Sequence, residues 1–285
     1  MKRRISIAAT ILLATAISAE AGNYGDFQPT RSVVYKTIGD VELKLHIFEP
    51  EGHQSSDRRP AIVFFFGGGW VGGTPEQFYP HAKHLAARGM LAISADYRVR
   101  GRHGTSPFEC VKDGKSAIRY VRAHADKLGV DPERIAAGGG SAGGHVAAAT
   151  ATAAKLNEEG EDLSVSPRPD ALVLFNPVYD NGPGGYGHGR VKDGWQEISP
   201  MHSIREGMPP AIVFLGTKDK LIPVETAKRF QQKMREVGSR SELMLFPGAQ
   251  HGFFNYGRGD GSSYRETLSA MDKFLESLGF LKGKG

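Results

Sequence analysis

Ile135-Ala136-Ala137-Gly138-Gly139-Gly140-Ser141-Ala142-Gly143-Gly144-His145 is the stretch on which the reading of the fold turns. A short apolar run reaches a cluster of glycines, turns on Ser141, and continues into the alanine-rich segment 146–154. That order reads as strand, tight turn, helix. Residues 139–143 fit the pattern G-x-S-x-G. A serine on so sharp a turn sits in strained backbone, and side chains two residues to either side would collide with the strand or the helix. The turn lifts the Ser141 hydroxyl to the edge of a sheet. It also aims the Ala142 N–H at the place where an oxyanion would form.

Working outward, apolar runs and helical periodicities alternate along the chain. Residues 33–37 and 41–48 alternate apolar and polar about Ile38-Gly39-Asp40, which predicts an antiparallel hairpin. Residues 61–66 form a continuous apolar run, as suits a strand buried on both faces of a parallel sheet. Further strands are expected at 91–95, 135–138, 171–175, 211–216 and 242–246. Helices are expected at 77–88, 109–128, 146–154, 224–237 and 264–278. The alternation implies an α/β fold: a mostly parallel central sheet, helices on both faces, and the hairpin at one edge. Residues 178–208 are irregular and rich in glycine, and read as a small lid-like insertion or pocket wall rather than a second domain.

In such sheets chemistry gathers at the carboxyl ends of the strands. Gly67-Gly68-Gly69 follows the run 61–66, and Ser141 follows the next glycine-rich strand. Asp219 comes after the strand 211–216, and His251 after 242–246. Four strand ends thus supply the parts of an acyl-transfer site in the order Ser…Asp…His. A serine hydroxyl needs a neighbouring base, which His251 would be, while Asp219 would hold the imidazole in the right tautomer. Asp180 and Asp193 are the competing acids, but both fall in the irregular segment.

The chain resembles an α/β-hydrolase of the esterase/lipase group over nearly all of its length past residue 21. The resemblance rests on Phe66-Gly67-Gly68-Gly69-Trp70, Ala95-Asp96-Tyr97-Arg98, the stretch 130–135, the glycine–serine turn 139–144, Gly216-Thr217-Lys218-Asp219 and His251-Gly252-Phe253. Within that group it is most similar to exported bacterial acetyl xylan and feruloyl esterases. The resemblance implies an oxyanion hole made by Gly68, Gly69 and Ala142, and hydrolysis of short acyl esters, with acetylated plant polysaccharide as the leading substrate class. A general short-chain carboxylesterase, an arylformamidase-like amidase, and a hydrolase fold kept as a binding protein without turnover are the alternatives. One position departs from the family: Phe66 stands where a histidine usually braces the oxyanion loop.

Trp70, Tyr97, Tyr186 and Trp195 are candidates for a stacking surface for sugar rings or aromatic acyl groups, with packing in the core or at the rim the equal alternative for each. His145 reads as a packing or capping residue, and Asp96, Arg98 and Asp113 as buried polar contacts that organise loops.

Composition bounds the rest. Residues 1–21 carry a basic start (Lys2-Arg3-Arg4), an apolar core at 5–17 and the small-x-small run Ala19-Glu20-Ala21, the pattern of a signal peptide cleaved after Ala21. The expected product is a periplasmic or secreted, soluble single domain over 22–285 without stable membrane association. The formal charge of +5 would then fall to +3, and its lysines and arginines are scattered, which gives no argument for nucleic acid. Cys110 is the only cysteine, so no intrachain disulfide can form. No cofactor or metal is called for; the expected partner is a small-molecule or oligosaccharide ester.

Overall fold

The computed structural model describes Tyr24 and residues 26–283; the expected leader over 1–21 lies outside them. Among the described residues, eight strands form one sheet in the order β1-β2-β4-β3-β5-β6-β7-β8. They are β1 (Arg31–Ile38), β2 (Val41–Phe48), β3 (Arg59–Phe65), β4 (Leu91–Ala95), β5 (Val130–Gly140), β6 (Ala171–Phe175), β7 (Ala211–Gly216) and β8 (Ser241–Phe246). β1 pairs antiparallel with β2, and β2 antiparallel with β4. Every pairing from β4 through β8 is parallel. The hairpin therefore lies at one edge, and the functional strand ends belong to the parallel part.

The helices are α1 (Tyr79–Ala87), α2 (Arg100–His103), α3 (Pro107–Ala123), α4 (Ala125–Leu128), α5 (Ala142–Thr152), α6 (His188–Val191), α7 (Trp195–Ile198), α8 (Val224–Glu236) and α9 (Ser262–Ser277). Side chains alternate across a strand. In β3, Val63 and Phe65 accordingly enter one apolar cluster with Ile118 of α3, Val146 of α5 and Phe230 of α8. Ile62 and Phe64 enter the opposite cluster with Leu85 of α1 and Phe274 of α9. A sheet covered on both faces explains why 61–65 is continuously apolar.

Several boundaries differ from the sequence reading: β5 runs over Val130–Gly140 against an expected 135–138, and α5 opens at Ala142 rather than 146. The helix expected over 109–128 begins at Pro107, because Ser106 and Glu109 close a capping box, and it breaks at His124 before the single turn α4. The helix expected from Gln77 opens with a 3₁₀ turn over Pro75–Phe78. Within 178–208 the backbone forms the short helices α6 and α7 and two 3₁₀ turns, so the segment is less irregular than its glycines imply.

Candidate active site

Ser141 closes β5 with φ 55° and ψ −119°, outside helix and strand geometry. The turn is possible because its glycines leave no room for side chains: a Cβ on Gly143 would lie 2.0 Å from the Phe65 carbonyl oxygen. Besides Ser141, Trp70 (φ 60°) and Asn176 (φ 33°) also hold positive φ without being glycine. Ser141 and Asn176 directly follow β5 and β6 and Trp70 lies in the loop after β3, while a fourth such residue, Lys192 (φ 45°), lies in the insertion.

The four strand ends meet. His251 Nε2 is 2.9 Å from Ser141 Oγ, and His251 Nδ1 is 2.7 Å from Asp219 Oδ2. A carboxylate only accepts, so Nδ1 carries the proton and Nε2 is left to accept from the serine hydroxyl. Asp219 has no exposed side-chain surface. Its second oxygen accepts from the N–H groups of Leu221 (2.8 Å) and Ile222 (2.9 Å), which satisfies the buried charge and fixes its direction. The competing acids are elsewhere. Asp180 accepts from Gly182 N and lies 3.3 Å from Arg229, and Asp193 is exposed.

The oxyanion loop leaves β3 beside this serine. A Cβ on Gly67 would come within 3.4 Å of Ser141 Cβ, so loop and elbow are in contact. Among the described residues the N–H groups of Gly68, Gly69 and Ala142 have no hydrogen-bond partner, whereas Gly67 N donates to Gln77 Oε1 at 2.6 Å. Three free donors beside a nucleophile are what a developing oxyanion needs.

With Phe66 in place of histidine, the loop is braced by other groups. Tyr97 lies flat on Phe66 (centroids 4.1 Å apart) and donates its hydroxyl to the Phe66 carbonyl at 2.6 Å. Gln77 accepts from Gly67 and donates through Nε2 to Asn255 Oδ1 at 2.9 Å. Asn255 in turn donates to Gly252 O, and Gly252 N donates to Asn176 Oδ1. A chain of amides thus joins the oxyanion loop to the loop that carries His251. Asn176 Nδ2 also lies 3.4 Å from His251 Nε2. Sequence reasoning missed Gln77, Asn176 and Asn255; the position of Asn176 at a strand end was the one signal available.

The aromatic residues separate. Tyr97 has no exposed surface and Trp70 retains 1%. Neither can present a face to a sugar, which corrects the expectation that they form a stacking surface. Burial and the Phe66 hydroxyl bond account for Tyr97. Trp70 is packed edge-on against His145 and tilted against Tyr186. Trp195 is half-buried, edge-on to His202, and belongs with Phe108 and Val111 in a small separate cluster. Tyr186, half-buried, reaches Gly69 of the oxyanion loop, its hydroxyl 3.3 Å from where a Gly69 Cβ would stand. Arg190 of α6, not foreseen, donates to Gly69 O at 2.6 Å and lies over the rings of Trp70 and Tyr186. The insertion thereby forms a wall of the site.

His145 is fully buried on α5 and shares a hydrogen bond with Asn181 Oδ1 at 3.0 Å; burial pushes its imidazole down to about 4. Asp113 is buried and accepts from Lys36 and from the backbone and guanidinium of Arg98. Cys110 is buried, and its thiol donates to Arg98 O. Among the described residues no group of three or more His, Cys, Asp or Glu is placed to hold a metal. Among them, too, no helix is long and apolar enough to cross a membrane.

A family model described as BD-FAE matches residues 45–173, and one for the dienelactone hydrolase family matches residues 180–283. The chain is 48% identical to Thermogutta terrifontis esterase 2, in a structure of that enzyme phosphorylated by paraoxon. The match covers 89% of this chain and 96% of that one, with a TM-score of 0.86. The chain belongs to the α/β-hydrolase esterases. A propionate-bound structure of the same Thermogutta enzyme matches at 47% identity over 90% of this chain and 96% of that one, with a TM-score of 0.85. The chain is also similar to esterase LipC of Mycobacterium tuberculosis, with 33% identity over 245 residues, covering 77% of this chain. It spans 53–62% of the length of the first curated relatives it matches, LipC among them at 58%.

Proposed function

We propose that the protein hydrolyses short-chain carboxylic esters through an acyl-enzyme on Ser141. The observation that carries this reading is the unbroken relay Ser141 Oγ–His251 Nε2, His251 Nδ1–Asp219 Oδ2 beside three unpartnered backbone donors. In acylation Ser141 Oγ attacks the ester carbonyl carbon as its proton passes to His251 Nε2. The carbonyl oxygen becomes an anion held by the N–H groups of Gly68, Gly69 and Ala142. The carbon–oxygen bond to the alcohol then breaks, and His251 returns the proton to the leaving alkoxide. Deacylation repeats the sequence with water as nucleophile and His251 as its base, releasing the acid and restoring the serine. Asp219 stays ionised throughout and stabilises the imidazolium.

Short acyl esters are favoured because Tyr186 and Arg190 close over Gly69 and narrow the site. The bound propionate of the Thermogutta enzyme is in keeping with a small acyl group. Deacetylation of xylan-type carbohydrate rests on the family resemblance alone, since Trp70 and Tyr97 are withdrawn into the core. Export through the leader at 1–21 belongs to the same proposal, and the N-terminal sequence of protein recovered from its native host tests it.

The test of the activity is Ser141→Ala against aryl esters of graded acyl length, acetylated xylo-oligosaccharides and N-formyl amides. Wild type should prefer acetyl to butyryl aryl esters, and the variant should lose at least about 10⁴-fold in kcat at unchanged Tm. Retained turnover in the variant would remove Ser141 from the mechanism.

A further inference from the structure

A cleft of about 270 Å³ opens beside the oxyanion loop, with Gly69 and Trp70 forming part of its wall. Arg100, Thr105, Ser106 and Arg190 are among the residues that complete it. Its lining is one-sided in charge. The Arg100 side chain is exposed and makes no hydrogen bond or ion pair among the described residues. Arg190 spends one donor on Gly69 O and has no carboxylate partner. Arg102, two residues on in α2, donates to Gly73 O and lies over the Phe66 ring, again without an acid. Glu109 is the neighbouring carboxylate, and it is occupied by the backbone N–H and hydroxyl of Ser106.

Thr105 Oγ1 and Trp70 Nε1 are buried and have no partner among the described residues. An indole N–H can only donate, and a guanidinium carries five donors of which Arg190 uses one here. Two exposed arginines without a carboxylate partner make the cleft favourable to an acceptor with negative charge.

We propose that this cleft receives an anionic substituent of the ester, a carboxylate on either its alcohol or its acyl part, so that the enzyme prefers negatively charged esters. Arg100 and Arg190 provide the charge complement. Because Gly69 belongs to both cleft and oxyanion loop, a carboxylate seated there is tethered to the scissile bond through the substrate itself. The inference rests on the esterase reading above and adds the substrate class.

The experiment measures kcat/KM for two matched pairs. In 4-acetoxybenzoate against 4-acetoxybenzamide the charge is on the alcohol side; in mono-4-nitrophenyl glutarate against 4-nitrophenyl pentanoate it is on the acyl side. The quantity read is the anionic-to-neutral ratio, compared between wild type and Arg100→Gln so that intrinsic ester reactivity cancels. The ratio should fall about fivefold in R100Q for the pair whose charge reaches the cleft, and Arg100→Lys should recover most of it. In wild type the same ratio should shrink as NaCl is raised from about 0.01 to 1 M, since the screening length contracts from about 30 to 3 Å. That salt titration needs no variant to fold. Ratios that are the same in R100Q and wild type for both pairs, or that ignore salt, would overturn the inference while leaving the esterase reading intact. Absence of turnover on all four esters would overturn both.

Discussion

Replacing Gln77 by alanine removes the link between the two catalytic loops without touching a reacting group. Two hydrogen bonds are lost, one accepted from Gly67 N at 2.6 Å and one donated to Asn255 Oδ1 at 2.9 Å. Gly67 is buried, so its N–H is left without an acceptor at a cost of about 1–3 kcal/mol. For a chain of this size that corresponds to a fall in Tm of roughly 3–10 °C. The larger effect should be kinetic. Gly68 and Gly69 follow the freed residue, and one well-aimed oxyanion donor is worth about 10²–10³ in rate. Partial loss of aim predicts a drop in kcat of about 10- to 100-fold on 4-nitrophenyl acetate, with KM little altered, because the donors act on the transition state. Gln77→Glu separates the two bonds: the carboxylate still accepts from Gly67 but cannot donate to Asn255, so its kcat should fall between those of wild type and Q77A. A folded Q77A enzyme with the kcat of wild type would refute the reasoning. It would mean that the stacked Phe66–Tyr97 pair and Arg190 hold the loop without Gln77.

Other perturbations probe the frame around the site. Asp113→Ala leaves Lys36 and Arg98 with Glu158 as their remaining carboxylate and should destabilise by about 1.5–3 kcal/mol, read as a shift of the urea midpoint; an unshifted midpoint contradicts that role. His81 is wholly buried among aromatic rings with neither nitrogen hydrogen-bonded among the described residues, and burial pushes it down to about 3. His81 and His145 are both neutral in the fold and take up protons on unfolding below about pH 6.5. Stability therefore rises with pH from about 3 to 6.5 through His81 and from about 4 to 6.5 through His145, and is lost on acidification, each imidazole contributing a slope of up to about 1.4 kcal/mol per pH unit. His81→Phe should flatten the acid limb of Tm against pH, and an unchanged limb would show that the imidazole does not enter the balance.

The parts that sequence reveals are those with a fixed address. Ser141, Asp219 and His251 each follow a recognisable strand, and parallel topology brings consecutive strand ends together, so their meeting could be argued from order alone. Gln77 and Asn255 have no such address: an amide in a loop looks alike whether it bridges two catalytic segments or faces water. Trp70 and Tyr97 lie in the core rather than on a stacking surface for a related reason. Tyr97 is polar enough for a surface and apolar enough for a core, and the Phe66 carbonyl that accepts its hydroxyl, with the Phe66 ring stacked on its own, decides for the core. Arg190 was invisible because its partner is a backbone oxygen 121 residues away. The break at His124 depends on backbone angles that the periodicity of 109–128 does not encode.

The most direct trial of the relay is to find which residue an organophosphate labels. Wild-type protein treated with paraoxon should lose esterase activity in step with the gain of one diethylphosphoryl group, and peptide mass spectrometry should place it on Ser141. Complete inactivation with the label on any other residue, or with no label at all, would contradict the account.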